Sequence, residues 1–254
     1  MRDGAVEAIR ISTRPDYIDD EILTVLSHYA VRTVELGLQS MDDRVLVATR
    51  RGHDAKTAER ACRLVKQYGF SLVGQMMIGL PLANGESEQM TATRIAELGA
   101  DAARVYPTVV FRGTELCRMA ERGEYQALSE NEMISRTADV LEIFDRAFVP
   151  VIRVGLCASE TLSSPDSVFG GANQSAVGDL VHGEIFYRRM RECLQRTANP
   201  GGAVFRVPQG SASRAAGQHR KNTARLCREF GLRRIRIMED ATLSGYRITL
   251  DHNF

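Results

Sequence analysis

The segment from Val34 to Pro81 most constrains the fold, because it reads as strand, crossover helix and strand with polar groups at both strand ends. VELGLQ is a largely apolar strand that breaks at Gly37 and ends in a polar tip, Gln39 and Ser40; a short helix and the pair Arg50 and Arg51 follow. LVGQMMIGLP, from Leu72, suits a buried strand with one polar side chain, Gln75, closed by a Gly-Leu-Pro turn that a helix cannot continue through. Between them, Asp54 is placed as an N-cap, Ala58, Ala61, Cys62, Leu64 and Val65 recur at helical spacing, and Gly69 is placed to end the helix. Parallel strands need such a crossover, and ligands bind where the carboxyl ends of parallel strands converge. Gln39, Arg51 and Gln75 all fall at or just after such ends.

The same alternation extends in both directions. Ala5 to Ser12 reads as a strand, and Asp19 or Asp20 opens a helix with acidic residues in its first turn. Asn84 to Leu98 reads as a helix closed by Gly99, and Ala102 to Tyr106 as a strand. Ser129 and Glu132 form a capping-box pattern at the head of a helix reaching Phe144, and Pro150 to Leu156 gives a further strand. Strictly alternating strands and helices select an α/β architecture with a parallel sheet. Ser12, Gln39, Gln75 and Tyr106 or Pro107 each follow an apolar strand core, so they are expected at one rim of that sheet.

From Ser159 to Gln174 the pattern dissolves into Ser, Pro, Gly and Asn, which suits a boundary or a loop over the site. Beyond it the charge changes. Residues 186–236 hold thirteen Lys or Arg against two acids, Glu192 and Glu229, so the net charge of +1 hides a basic segment beside an acidic remainder. Such asymmetry suits a polyanion-facing module. The N-terminal MRDGAVEAIRIS has no apolar leader core and no long apolar run occurs, so the expected location is cytoplasmic, without a membrane partner. The five cysteines, Cys62, Cys117, Cys157, Cys193 and Cys227, are odd in number and widely spaced, which argues for reduced thiols rather than a disulfide framework.

Four ordered motifs carry a family resemblance: ISTRPDYID (Ile11 to Asp19), ELGLQS with the Arg pair and Gly52-His53, the strand running into Gly79-Leu80-Pro81, and RVYPTVVFRGTEL (Arg104 to Leu116). Together they resemble the radical S-adenosylmethionine (radical SAM) superfamily, in particular Elongator catalytic subunits and oxygen-independent coproporphyrinogen III oxidases. The resemblance implies a partial TIM-type (β/α) barrel entered at its third strand, over residues 1–160. It implies SAM and a [4Fe-4S] cluster as cofactors, with SAM held by Gln39, Arg51, Gln75, Ser12 and Gly79. Gln39 and Gln75 would meet ribose hydroxyls and Arg51 the methionine carboxylate, with Arg50 as the alternative arginine. Members of the family hold the cluster in a Cys-x3-Cys-x2-Cys loop, and no two cysteines here share a short loop. The chain is therefore expected either to be a piece of a longer enzyme or to descend from a gene that lost its front, and to be inactive alone.

Residues 161–185 read as a connector and 186–254 as a small α+β module. There AVFRVP, two helices around a basic turn, and RRIRIM resemble a KH-type RNA-binding fold, with Gly217, His219, Arg220 and Lys221 at the turn that clamps RNA backbone. The implied function is radical SAM chemistry on single-stranded RNA or tRNA. An RNA-binding protein on a barrel scaffold and a porphyrinogen-type oxidase stay open beside it.

Overall fold

Side-chain caps close the helices where the sequence places them. In the computed structural model, which describes residues 6–156, 166–173, 176–197 and 201–251, the Thr57 amide donates to the Asp54 carboxylate at 2.7 Å. Asp19 caps Ile22 in the same way, and Ser129 and Glu132 form the reciprocal capping box expected of them. These caps start α1 (Asp20–Ser27), α3 (Ala55–Gln67) and α6 (Glu130–Arg146). Short α2 (Asp43–Ala48) lies between, and α4 (Gly85–Glu97) opens on a further capping box at Asn84.

The chain divides into two units, Met1–Asn173 and Gln174–Phe254. In the first, β1 (Ile9–Thr13), β2 (Val31–Gln39), β3 (Ser71–Ile78), β4 (Ala102–Pro107) and β6 (Val151–Val154) form a parallel sheet in the order β1-β2-β3-β4-β6. Strands that follow one another in sequence and in space wind in one direction, as in a (β/α) barrel; a doubly wound sheet reverses its order midway. Along these strands Val34, Leu36, Leu38, Met76, Ile78 and Val105 are fully buried and alternate with Glu35, Gly37, Gln75 and Arg104. Gly74 lies against Ile95 of α4, which identifies the apolar face as the helix-covered one and leaves the other lined by polar side chains. Short β5 (Val109–Phe111) pairs antiparallel with β7 (Val168–Gly171), with α5 (Glu115–Glu121) between them in sequence.

Three expected boundaries move. The first strand begins at Ile9 rather than Ala5, because its partner β2 starts at Val31 and the register slips between Ile9 and Arg10. The division after residue 160 shifts to Asn173, since β7 is tied to β5. The segment 161–185 is not all connector: α7 (Val177–Gln195) runs through its end and buries Val181 and Ile185. Its first residue follows Ala176, which carries no capping side chain, so the sequence holds no start signal there.

In the second unit, α7, β8 (Gly202–Pro208), α8 (Ala212–Ala216), α9 (Lys221–Phe230), β9 (Arg234–Asp240) and β10 (Thr249–Asp251) follow in order. The sheet order is β10-β8-β9, with β8 and β9 parallel and β10 antiparallel to β8. Phe186, Tyr187, Met190, Phe205, Leu226 and Ile235 form its core. No helix among the described residues is long and apolar enough to cross a membrane.

Candidate functional site

The polar face of the first unit opens into a cleft of about 320 Å³ at the carboxyl ends of β1, β2 and β3, a volume within the range of small-molecule sites. Ser12, Gln39, Arg51 and Gln75 all line it, so four residues expected to share a site from strand-end position do meet. Thr13, Arg14, Tyr17 and Gly37 complete the wall.

Local backbone geometry places Gln39. The β2–β3 register slips between Gly37 and Gln39, and Gln39 takes a left-handed conformation with φ 67°. Such a conformation costs a non-glycine residue about 1–2 kcal/mol, and strain of this kind is characteristic of functional sites. The kink folds the Gln39 amide back over Gly37, where a β-carbon would stand 2.8 Å from Nε2. From the next strand the Gln75 amide approaches, its Nε2 donating to Gln39 Oε1 at 3.5 Å. The tip beyond is fixed by the Met41 amide, which donates to Thr91 of α4 at 2.9 Å.

Two arginines reach the cleft in different states. Arg14 is satisfied: its guanidinium holds Asp16 through two hydrogen bonds of 2.9 and 2.6 Å and lies over the Tyr17 ring. Arg51 is not. Among the described residues it reaches only the Gly37 carbonyl, at 3.5 Å, and its buried Nε has no hydrogen-bond partner. Burial, and then the charge of Arg14, lower its pKa, with the Asp16 carboxylate opposing them in part. The His53 side chain is buried nearby, its Nε2 3.4 Å from the Leu38 carbonyl and its Nδ1 3.9 Å from Asp16, and burial lowers its pKa.

Gly79 does not join these residues. Its amide donates to Glu88 Oε1 at 2.7 Å and its carbonyl accepts from the Tyr125 hydroxyl at 2.7 Å, so both backbone groups are used in fixing the turn after β3. The turn lies four residues beyond Gln75, roughly 13 Å of extended chain past the cleft. Tyr106 is on the polar face without lining the cleft, its hydroxyl accepting from Arg104 at 3.3 Å. The sequence motif ISTRPDYID did not by itself mark Arg14 and Tyr17 as cleft residues, or Asp16 as the partner of Arg14; the available signal was their position just past β1, with Arg14 at the head of a single 3-10 turn, Pro15–Tyr17.

The cleft suits SAM: an under-partnered guanidinium stands ready for a carboxylate, and two amides, each both donor and acceptor, suit a ribose diol. The cluster finds no such fit. Among the described residues no group of three metal-ligating side chains converges, and Cys62, Cys117, Cys193 and Cys227 lie on separate elements. Burial pushes the Cys62 thiol up to about 12, away from the thiolate a metal needs. Cys157 lies outside the described residues.

In the second unit Gly217, His219, Arg220 and Lys221 form the turn between α8 and α9. Gly217 has φ 75°, and His219 and Arg220 have φ 50° and 61°. A β-carbon on Gly217 would meet Asn222 Cγ at 2.8 Å, and Asn222 itself donates to the carbonyls of Gly183 and Ala215. Gly217 is therefore demanded by packing. Several of the thirteen basic residues are engaged: Arg191 with Glu229, Arg196 with Glu192, Arg206 with Asp251 and Arg214 with Asp179. Arg220, Lys221, Arg228, Arg233, Arg234 and Arg236 are exposed and form no ion pair with the described residues.

A one-way parallel sheet with helices on one face and a nucleoside-suited cleft at its carboxyl rim defines a barrel-type cofactor-binding domain. The chain belongs to the radical SAM superfamily: that family's signature matches residues 3–94, and the Radical_SAM C-terminal domain matches residues 100–186. It is 29% identical over 178 residues to the tRNA uridine(34) acetyltransferase of Methanocaldococcus jannaschii, covering 69% of this chain and 32% of that protein. It is 34% identical over 138 residues to Elongator complex protein 3 of Bos taurus, covering 53% of this chain and 25% of that protein. The structure resembles the archaeal Methanocaldococcus infernus Elp3 carrying an N-terminal deletion, with TM-score 0.62 and 26% identity over 73% of this chain and 42% of that one. The chain thus spans less than half the length of these relatives. The family implies SAM and a [4Fe-4S] cluster as its cofactors.

Proposed function

We propose that the cleft holds SAM and the second unit holds RNA, so that the chain serves SAM-dependent radical chemistry on tRNA or another single-stranded RNA. The observation that carries this reading is the convergence of Gln39 and Gln75 on the half-buried Arg51, whose buried Nε lacks a hydrogen-bond partner among the described residues. SAM is the family's source of a 5′-deoxyadenosyl radical. The chain's own residues bind and orient it: Arg51 takes the carboxylate, the two amides take the ribose hydroxyls, and Ser12 closes the β1 side. The described residues supply no cluster ligands, so the reducing step is not assigned to them.

The RNA half is supported by relatives named for tRNA uridine chemistry, and by a helix–turn–helix set between two parallel strands as in the KH arrangement. Arg220 stands where a second glycine would allow close backbone approach, and adds a charge there. The exposed basic side chains of the second unit that form no ion pair with the described residues, Arg220, Lys221 and Arg234 among them, support a second reading, an RNA-binding protein in which the sheet is a structural scaffold. Equilibrium dialysis with labelled SAM and filter binding of unmodified tRNA, on one preparation, test both halves. Saturable binding of each, weakened respectively by Gln75→Ala and Arg220→Ala, is expected. Binding of tRNA with no retention of SAM leaves only the second reading, and retention of neither removes both.

A further inference from the structure

The polar face continues past the SAM cleft, and its next residue is an arginine in an unusual state. Gly37 pairs with Gln75, Gln75 with Arg104 and Arg104 with Arg153, so one cross-strand row leads from the cleft to a guanidinium a single strand away, at a spacing of about 4.8 Å. Arg104 has partners but holds them loosely. Its Nη1 lies 3.3 Å from Glu35 Oε1 and 3.3 Å from the Tyr106 hydroxyl, and its Nε lies 3.3 Å from Glu35 Oε2 without forming a hydrogen bond there.

The same unit supplies the contrast. Arg136 grips buried Glu88 through two bonds of 2.8 and 2.6 Å, within the usual range for charge-assisted pairs, and its task is to fix α6 to α4 and the Gly79 turn. Arg104 and Glu35 are as far from bulk water on the carboxylate side, with Glu35 3% exposed, yet stop several tenths of an ångström short of that geometry. A buried carboxylate and guanidinium that serve only stability gain most by closing the gap. This pair stands open, and 24% of the Arg104 side chain remains exposed.

The geometry points to an oxyanion subsite at Arg104, with the Tyr106 hydroxyl as second donor and Glu35 as a resident carboxylate that an incoming phosphate or carboxylate competes with. The inference depends on the SAM reading only for what its neighbour is. The ligand is the anionic group of the co-substrate whose reacting atom must lie beside SAM: an RNA phosphodiester or the carboxylate of a small acid.

The test is titration of the whole chain with inorganic phosphate and, separately, acetate at constant ionic strength, following the ¹⁵Nε–H resonance of Arg104 assigned by its loss in Arg104→Lys. Saturable shifts in the millimolar range are expected, and Glu35→Gln, by removing the competing carboxylate, should tighten binding about tenfold, the equivalent of one charge-assisted hydrogen bond. Phosphate preferred over acetate assigns the RNA source; the reverse assigns a small acid. If Arg104 shows no saturable response in either wild type or a folded Glu35→Gln variant, the pair is structural and the inference falls. Labelled SAM retention, measured on the same samples, separates that outcome from failure of the SAM reading.

Discussion

Gly37→Ala is the most discriminating single substitution at the cleft. Gly37 has no left-handed backbone, so alanine meets no conformational penalty there and reduces unfolded-chain entropy, a gain of about 0.4–1 kcal/mol. Against this, the new methyl stands 2.8 Å from Gln39 Nε2, and ordinary contact begins near 3.4 Å, so the amide must withdraw by roughly 0.6 Å or rotate away. The obstacle is the end of a flexible side chain, so the fold tolerates it. The contact from Gln75, already at 3.5 Å, does not survive. Thermal or urea unfolding should place the variant within about 1 kcal/mol of wild type. Losing one well-placed hydrogen bond to ribose costs about 0.5–1.5 kcal/mol, so SAM should bind roughly 2- to 12-fold more weakly in calorimetry. A variant destabilised by more than 2 kcal/mol with unchanged SAM affinity refutes the reasoning, because it would make Gly37 a packing residue rather than room for Gln39.

Three further outcomes follow from the geometry. Glu88→Ala strands half-buried Arg136 and the Gly79 amide and should cost about 3 kcal/mol or more in urea unfolding, whereas replacing the pair with Leu and Met should cost much less; equal losses would deny that the charge left behind is the cause. His182, on α7, has its Nδ1 2.6 Å from the Tyr246 hydroxyl, and burial, then Arg214, push its pKa down to about 4; the neutral ring is the folded form, so stability is complete above about pH 6.5, declines toward pH 4 by roughly 2–3 kcal/mol, and loses that component in His182→Phe. In RNA binding, Arg234→Ala and Arg220→Ala should each lower the salt slope by about 0.7, while Arg191→Ala, already engaged by Glu229, should leave it nearly unchanged; three equal effects would reduce the interface to undirected charge.

What could be read from the sequence follows from where each signal resides. Asp54, Asn84 and Ser129 announce helix starts through local side-chain chemistry, and the apolar runs of β2 and β3 announce strands through burial, so the parallel architecture was legible. Ser12, Gln39 and Gln75 were legible as neighbours in one cleft because a strand end in a parallel sheet is already an address. Gly79, named by the same rule, lies outside the lining of that cleft, and nothing local shows that Glu88 and Tyr125 use its backbone. The start of α7 was hidden because Ala176 offers no cap and the charge step at residue 186 falls inside a helix. The row from Gly37 to Arg153 was invisible for another reason: it exists only once four strands are in register.

The central claim is that Arg51 meets the carboxylate of SAM, and one comparison tests it most directly: binding of SAM and of 5′-methylthioadenosine, which lacks the amino-acid carboxylate, to wild type and Arg51→Ala. The account predicts that Arg51→Ala weakens SAM at least tenfold, consistent with a charge-assisted contact of about 1.5–3 kcal/mol, and leaves 5′-methylthioadenosine within twofold. Equal weakening of both ligands, or of neither, would contradict it.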